Sequence, residues 1–562
     1  MLPRARELAR KYGAQQLNNS ALYWADKALS LSNGALEDLV VYIQSLFTCK
    51  EYRRAIHCLE SSTTRTLLHR SSTLRYLAAR CFAECEEWEE VITILATPKT
   101  DTSPLGQKRF SEEDGVKSHE VLSLGDLESA SLVLRGAAHE GLGDLPSAME
   151  CYKKALVVDV FCEEALDKLC LYHFLSAKDE KQLLLSMPFK KQCSHPEEAA
   201  LKALYQRKLS HTRASHLTQD VELPSCIESL QTNADVLSDV ADYYLDAMNI
   251  DACYTHTSRI LKLDPYHRHA LHLHIVCCVC RSFVSELFTI GHQLVNTFPK
   301  SALAWYAVSC YYIALQKHQV ARKYLSKSIS LDANFVPAHM AFGISLASEG
   351  ERDQARAAFA AAARIMQGSH LPLMFLGREY YLTCAMATST KFMKNALSIS
   401  PHNPILLQEV GVMLFNNGEY DKSESYLQLA VKHLRSIDPN VTLSEWEPVY
   451  NNLGHVMRKL GKYEESLQMH EFALQLCPNE STTLISIALT CLLSGNVDKV
   501  IKFTNQSLRL KREDQVALEL LHTAIEESTM AMISESTPHG MECMTGKMLL
   551  KQQLTLGVDG QH

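Results

Sequence analysis

The chain has 562 residues, of which 46% are hydrophobic, with a formal net charge of −8 and a sequence pI of about 6.3. That length exceeds what one compact core accommodates and implies several domains or an extended repeat array. Nothing in this acidic balance suggests a nucleic-acid partner, which would favour a basic face, and the scarcity of Gly (22) and Pro (17) favours helix over sheet and turn.

The first residues, Met1-Leu2-Pro3-Arg4-Ala5-Arg6-Glu7, lack the apolar run of a secretory leader. The 18 Cys are therefore expected to stay reduced, and the sequons at Asn18, Asn440, Asn479 and Asn505 to stay silent. No apolar run reaches the ~18 residues of a membrane span. The closest, residues 275–290, is interrupted by Arg281 and Glu286. A soluble protein of the cytoplasm or nucleus is expected, with no membrane and no nucleic-acid partner.

A repeat becomes visible when small and large residues are aligned at a 34-residue step. Starts at 2 and 36 put Ala9, Ala21, Ala28 and Ala55 at small positions and Tyr12 and Leu46 at bulky ones. Starts at 72 and 129 fit Ala79 and Phe82, then Gly136, Ala148, Tyr152 and Ala155; a weaker repeat begins near 163. Between them, residues 97–128 are polar and aperiodic, the mark of a mobile surface loop. Residues 176–233 keep apolar helical stretches but lose the register, as a joint between two arrays would.

From 234 the register is uninterrupted, with starts at 234, 268, 302, 336, 370 and 404, and after a nine-residue insertion at 447 and 481. Gly343, Gly377, Gly411 and Gly454 then share position 8, and Ala362, Ala396, Ala430 and Ala473 share position 27. Pro265, Pro299, Pro401 and Pro478 share position 32. Small residues belong where two helices cross closely, and proline belongs where the second helix stops. This is the signature of the tetratricopeptide (TPR) repeat, and it predicts an all-α TPR superhelical solenoid in two arrays joined by degenerate helical repeats. The segments are 1–96, 129–175 and 234–524 for the repeats, 97–128 for the loop and 176–233 for the joint. A Ser/Thr/Met/Gly-rich tail at 525–562 is expected to be disordered.

The first helix of each repeat lines the concave face of such an array, the default berth for a peptide or helix. The register places Tyr306, Met374, Arg378, Tyr381, Gln408, Phe415, Asn451, Asn452, His455 and Arg458 there, an aromatic and apolar lining with a few hydrogen-bonding groups. No phosphate-binding glycine loop, HExxH or zinc-like paired CxxC is present, so no catalytic residue, cofactor or metal ligand is assigned. His274 and Cys278 could share a helix face and a metal. They occupy packing positions 7 and 11, however, and a structural zinc site needs four converging ligands. Thr97, Ser103 and Thr537 each precede proline and are candidate phosphorylation sites.

Several stretches carry a closer resemblance: SALYWADKALSLS (20–32), RYLAARC (75–81), LPLMFLGREY (371–380), NALSISPHNPILLQEVGVMLFNNGEY (395–420) and above all SEWEPVYNNLGHVMRKLGKYEESLQMHEFAL (444–474). From about residue 2 to 524 the chain resembles the sixth TPR subunit of the anaphase-promoting complex, or cyclosome, the cell-division-cycle ubiquitin ligase. The resemblance implies a non-catalytic scaffold that forms a homodimer through its N-terminal repeats, with Tyr12, Tyr23, Trp24 and Tyr42 as candidates. It also implies a small accessory subunit enclosed by the C-terminal array and stacking with sibling TPR subunits. The implied setting is nuclear and cytoplasmic, with the spindle and centrosome in mitosis.

The sequence argues against two other function classes. A co-chaperone clamp for chaperone C-terminal carboxylates needs Lys, Asn and Arg where this chain has Gln408, Val412, Thr482 and Ser486, leaving only Asn452 in place. An enzyme carrying a TPR regulatory array would need a catalytic domain, and residues 97–128, 176–233 and 525–562 are each too short for one of ordinary size.

Overall fold

The computed structural model describes residues 1–61, 67–68, 71–96, 126–171, 175, 177–209, 229–230, 232–437 and 444–536. Every regular element among them is helical. The chain divides into two compact units, Met1–Tyr205 and Gln206–His562.

The second unit follows the 34-residue register residue for residue. Its first helices are Ala234–Asp246, Arg268–Cys280, Ala302–Ala314, Val336–Ser348, His370–Leu382, Pro404–Asn416, Glu447–Lys459 and Ser481–Leu493, each of 13 residues. Each is followed by a partner helix packed against it, such as Arg352–Ile365 or Tyr463–Leu476. The helices stop where the register demands. Met248, Ser282, Gln316 and Cys384 take the left-handed backbone conformation at the turn inside their repeats, and Gly350, Gly418, Gly461 and Gly495 do so at the equivalent place.

The small positions are small because of what meets them. A Cβ on Gly343 would lie 2.5 Å from the ring of Phe359, and one on Gly454 would lie 2.6 Å from the ring of His470. In both cases a helix-A glycine receives the bulky residue sixteen positions later on helix B. Ala321, Ala355, Ala362, Ala396, Ala430 and Ala473 are fully buried at the same crossings.

The first unit repeats the plan with Leu2–Ala14, Leu36–Thr48 and Ser72–Glu84 as first helices. Arg6 joins two successive repeats by donating from Nε and Nη2 to Asp38 at 2.8 and 2.7 Å. Burial pulls the Asp38 carboxyl up, but bonds from Arg6 and Ser32, together with the charges of Arg6 and Arg10, outweigh it and hold the group below the usual carboxylate range.

Three boundaries differ from the sequence reading. Helix Asp126–Gly141 begins three residues before the start placed at 129, because Leu127 is buried and extends the apolar face backwards. Helices Ala177–Ser186, Phe189–Gln192 and His195–Lys208 occupy the first part of the joint, and the division between the two units falls inside it. Helix Gln515–Ser536 runs past 525, where the tail was expected to begin. It starts one 34-residue step after 481 and buries Ala517, Leu520 and Ala524 against the last helix pair, as a capping helix does. Residues 97–125 and 537–562, including Thr97, Ser103 and Thr537, lie outside the described residues.

Candidate partner groove

Two first helices in succession, Pro404–Asn416 and Glu447–Lys459, present six of the residues that the register assigns to a groove: Gln408, Phe415, Asn451, Asn452, His455 and Arg458. Their starts are fixed locally. The Asn403 side chain accepts from the backbone N–H groups of Ile405 and Leu406 at 3.0 and 3.1 Å, while Pro404 and Pro448 occupy first-turn positions that need no N–H donor. Between these two helices lies a cleft lined by Val412, Phe415, Asn416, Leu427, Asn452, His455 and Val456. Phe415 and Asn452 are half-buried there, so each keeps one edge free for a ligand. Gln408 is also half-buried, on the same helix as Phe415.

Behind the cleft the polar groups form a connected, buried set. His470 Nδ1 lies 2.8 Å from Asn451 Oδ1, an acceptor, so Nδ1 carries the proton. Burial, then the neighbouring His455 and Arg458, pushes the His470 pKa well down and keeps the ring neutral. Its ring meets that of His455 edge-on at 5.1 Å. Arg458 Nη2 donates toward His455 Nδ1 at 3.3 Å, which leaves the proton of His455 on Nε2, facing Ser486 Oγ at 3.4 Å. Ser486 in turn donates to the Thr482 carbonyl at 2.8 Å. The Arg458 guanidinium, only 3% exposed, is therefore held in one orientation next to the cleft.

The remaining predicted groove residues divide by exposure. Arg378 is exposed, with Nη1 4.0 Å from Glu409 Oε1; burial pushes the Glu409 carboxyl up and Arg378 partly offsets it. Tyr381 is half-buried. Tyr306 and Met374 are buried between repeats: Tyr306 packs edge-on against Phe335 at 5.5 Å, and Met374 lies among Met393, Leu406 and Met413. The sequence reading missed His470, Ser486 and the buried contact from Thr483 Oγ1 to Glu447 at 2.6 Å. A signal existed, since His470 is a polar ring at a position where other repeats carry Phe359, Met393 or Leu427.

In the first unit, Tyr23 is exposed and stands edge-on to half-buried Trp24 at 5.4 Å, with Lys27 over its face. Tyr12 is half-buried, and Tyr42 belongs to the core.

Residues 14–97 match the family "Anaphase-promoting complex, cyclosome, subunit 3", and residues 302–335 and 447–513 match tetratricopeptide repeat families. The human "Cell division cycle protein 16 homolog" is 37% identical over 529 residues, covering 93% of this chain and 84% of the relative. The "Anaphase-promoting complex subunit 6" of Arabidopsis thaliana is 31% identical over 541 residues, covering 93% and 96%. Among solved structures, the crystal structure of the APC/C hetero-tetramer Cut9-Hcn1 matches with a TM-score of 0.71 at 29% identity, over 93% of this chain and 96% of that one. TPR helix pairs in both units and relatedness along nearly the whole length converge on one assignment: the chain belongs to the family of anaphase-promoting complex subunit 6, the cell division cycle protein 16 homologues.

Proposed function

We propose that this chain is a non-catalytic TPR scaffold of an anaphase-promoting complex, holding other subunits in place while that ubiquitin ligase marks mitotic regulators for degradation. The observation that carries this reading is relatedness to subunit 6 proteins over 93% of the chain, coincident with helix pairs that occupy most of the described residues. Affinity purification of the tagged chain from dividing cells, followed by mass spectrometry, tests it. Recovery of a cullin, a RING protein and sibling TPR subunits is expected. Recovery of chaperones alone would instead favour the carboxylate-clamp reading.

Two finer assignments follow. The array at 234–524 holds a segment of a small accessory subunit against Phe415, Asn452, His455 and Arg458, since a cleft backed by an oriented guanidinium fits an extended chain with free carbonyls. The repeats at 1–96 make a homodimer, with exposed Tyr23 and half-buried Trp24 as the aromatic candidates; the related Cut9-Hcn1 assembly is a hetero-tetramer. Asn452→Ala combined with Arg458→Glu is expected to abolish co-purification of the small subunit while the homodimer persists in sedimentation. Unchanged co-purification would displace the site from this cleft. The proposed location is the nucleus and cytoplasm, with the spindle and centrosome in mitosis, which imaging of a fluorescent fusion through division would check.

A further inference from the structure

Away from the groove, three side chains with metal-ligating atoms converge in the repeat that starts at 268. The ligand atoms of His274, Cys278 and Glu286 all lie within 4.8 Å of one another. His274 and Cys278 are one helical turn apart on Arg268–Cys280, and Glu286 comes from the first turn of Val284–Thr297. His274 and Cys278 are buried, while Glu286 is partly open to solvent. His274 Nε2 faces Glu286 Oε1 at 3.1 Å.

The groups around this trio hold it in a ligating posture. Tyr254 stacks on the His274 ring at 5.0 Å and donates its hydroxyl to Glu286 Oε2 at 2.8 Å, which leaves Oε1 turned to the imidazole. Thr257 Oγ1 lies 2.9 Å from His274 Nδ1 and also 2.9 Å from the Cys253 carbonyl. The hydroxyl can therefore serve either tautomer. Donating to Nδ1, it lets Nε2–H bond to Glu286; donating to the Cys253 carbonyl, it accepts Nδ1–H and frees the Nε2 lone pair. Only protons move between the two settings. An outer hydrogen bond that fixes the tautomer of a histidine ligand is a recurrent feature of metal sites.

We propose that His274 Nε2, Cys278 Sγ and Glu286 Oε1 bind one zinc-class divalent cation, with a water in the fourth position at the open edge of Glu286. The mixed nitrogen, sulfur and single-carboxylate set selects zinc over magnesium or calcium, which take oxygen cages. Three protein ligands and one open position make an exchangeable site rather than a closed structural one. Charge balances: the dication is neutralised by one thiolate and one carboxylate, so the buried cluster carries no net charge. The thiol proton of Cys278 leaves to solvent on binding. Affinity therefore rises with pH. Occupied, the site ties both helices of this repeat together and, through Thr257 and Tyr254, to the helix before them.

The chelator-treated full-length chain titrated with cobalt(II) tests this. One equivalent is expected to produce tetrahedral d–d bands and a thiolate-to-cobalt charge-transfer band, both lost on adding zinc. Cys278→Ser is expected to remove the charge-transfer band. Other cysteines are present, so this variant identifies the sulfur. Glu286→Gln, at a partly exposed position where the amide oxygen still accepts from Tyr254, keeps the fold and is expected to weaken binding roughly tenfold or more. If Cys278→Ser does not fold by circular dichroism, Glu286→Gln decides alone. A wild-type chain that takes up no cobalt at one equivalent, a charge-transfer band that survives Cys278→Ser, or undiminished binding by Glu286→Gln overturns the site. His274 and Glu286 are then a packing hydrogen bond and nothing more.

Discussion

Arg281 Nη2 lies 3.2 Å from Glu445 Oε1, joining the end of helix Arg268–Cys280 to the short 3-10 turn Ser444–Trp446 that precedes helix Glu447–Lys459. The same guanidinium also holds Asp251 at 2.6 Å, and Met248, three residues before Asp251, packs against the cluster of Leu407, Trp446 and Tyr450. The row of repeats in the second unit thus returns on itself, and the turn Ser444–Trp446 supplies the surface it returns to.

Breaking that contact should loosen the array without unfolding it. Both partners are partly exposed, so the pair is worth at most about 1 kcal/mol, and less in high salt. Arg281→Glu is expected to lower the melting temperature at low ionic strength. The swap with Glu445→Arg should restore only part of the loss, because Glu at 281 still faces Asp251. A swap no better than the single variant, in melts at low and high salt, would show that the contact does not hold the turn together.

Glycine-to-alanine substitutions should change sign with position. At Gly343 the added methyl meets the Phe359 ring at 2.5 Å, an overpacking that costs about 1–3 kcal/mol. At Gly13, inside helix Leu2–Ala14, nothing lies within 4 Å, so alanine gains about 0.5–1 kcal/mol of helix preference. Denaturant melts of the two variants check this, and Phe359→Leu should relieve the Gly343→Ala defect in part.

The turn inside each repeat makes the opposite case for glycine. Cys384 holds φ at +60° where the next repeat has Gly418 at +80°. A side chain there costs about 1–2 kcal/mol, against which glycine's added freedom in the unfolded chain weighs roughly 0.5–1 kcal/mol. Cys384→Gly is expected to raise stability by up to about 1 kcal/mol and Gly418→Ala to lower it by a similar amount, read from urea midpoints. Unchanged midpoints for both would mean that the turn relaxes to another conformation.

Nearly all of this fold is legible in the sequence because size, not chemistry, carries it. A glycine at 343 and a phenylalanine at 359 announce their helices and their crossing, and the starts written from such pairs coincide with the helix starts throughout the second unit. The ends of the arrays are less legible. Composition turns polar after 525, yet helix Gln515–Ser536 continues from a first half anchored by buried Ala517, Leu520 and Ala524. Sites are harder still. The register turns Tyr306 and Met374 toward the concave face but says nothing of the next repeat, which covers them. It offered His274 and Cys278 as a pair, whereas Glu286 approaches from a second helix and needed coordinates to be seen.

His470 gives a pH dependence whose sign follows from its burial. Its folded pKa is depressed well below the ordinary imidazole value of about 6.5, by burial first and then by His455 and Arg458. Below 6.5 the unfolded chain takes up a proton at this ring and the folded chain does not. The stability this ring confers is complete above pH 6.5 and falls as the pH drops below it, by about 1.4 kcal/mol per pH unit at most. His470→Gln keeps a donor for Asn451 Oδ1 while removing the titration. The variant is expected to show a shallower loss of stability between pH 6.5 and 5 than the wild type, in urea melts across that range. Parallel pH profiles would mean that the folded chain protonates the ring as readily as the unfolded one, and that the buried set behind the cleft admits charge.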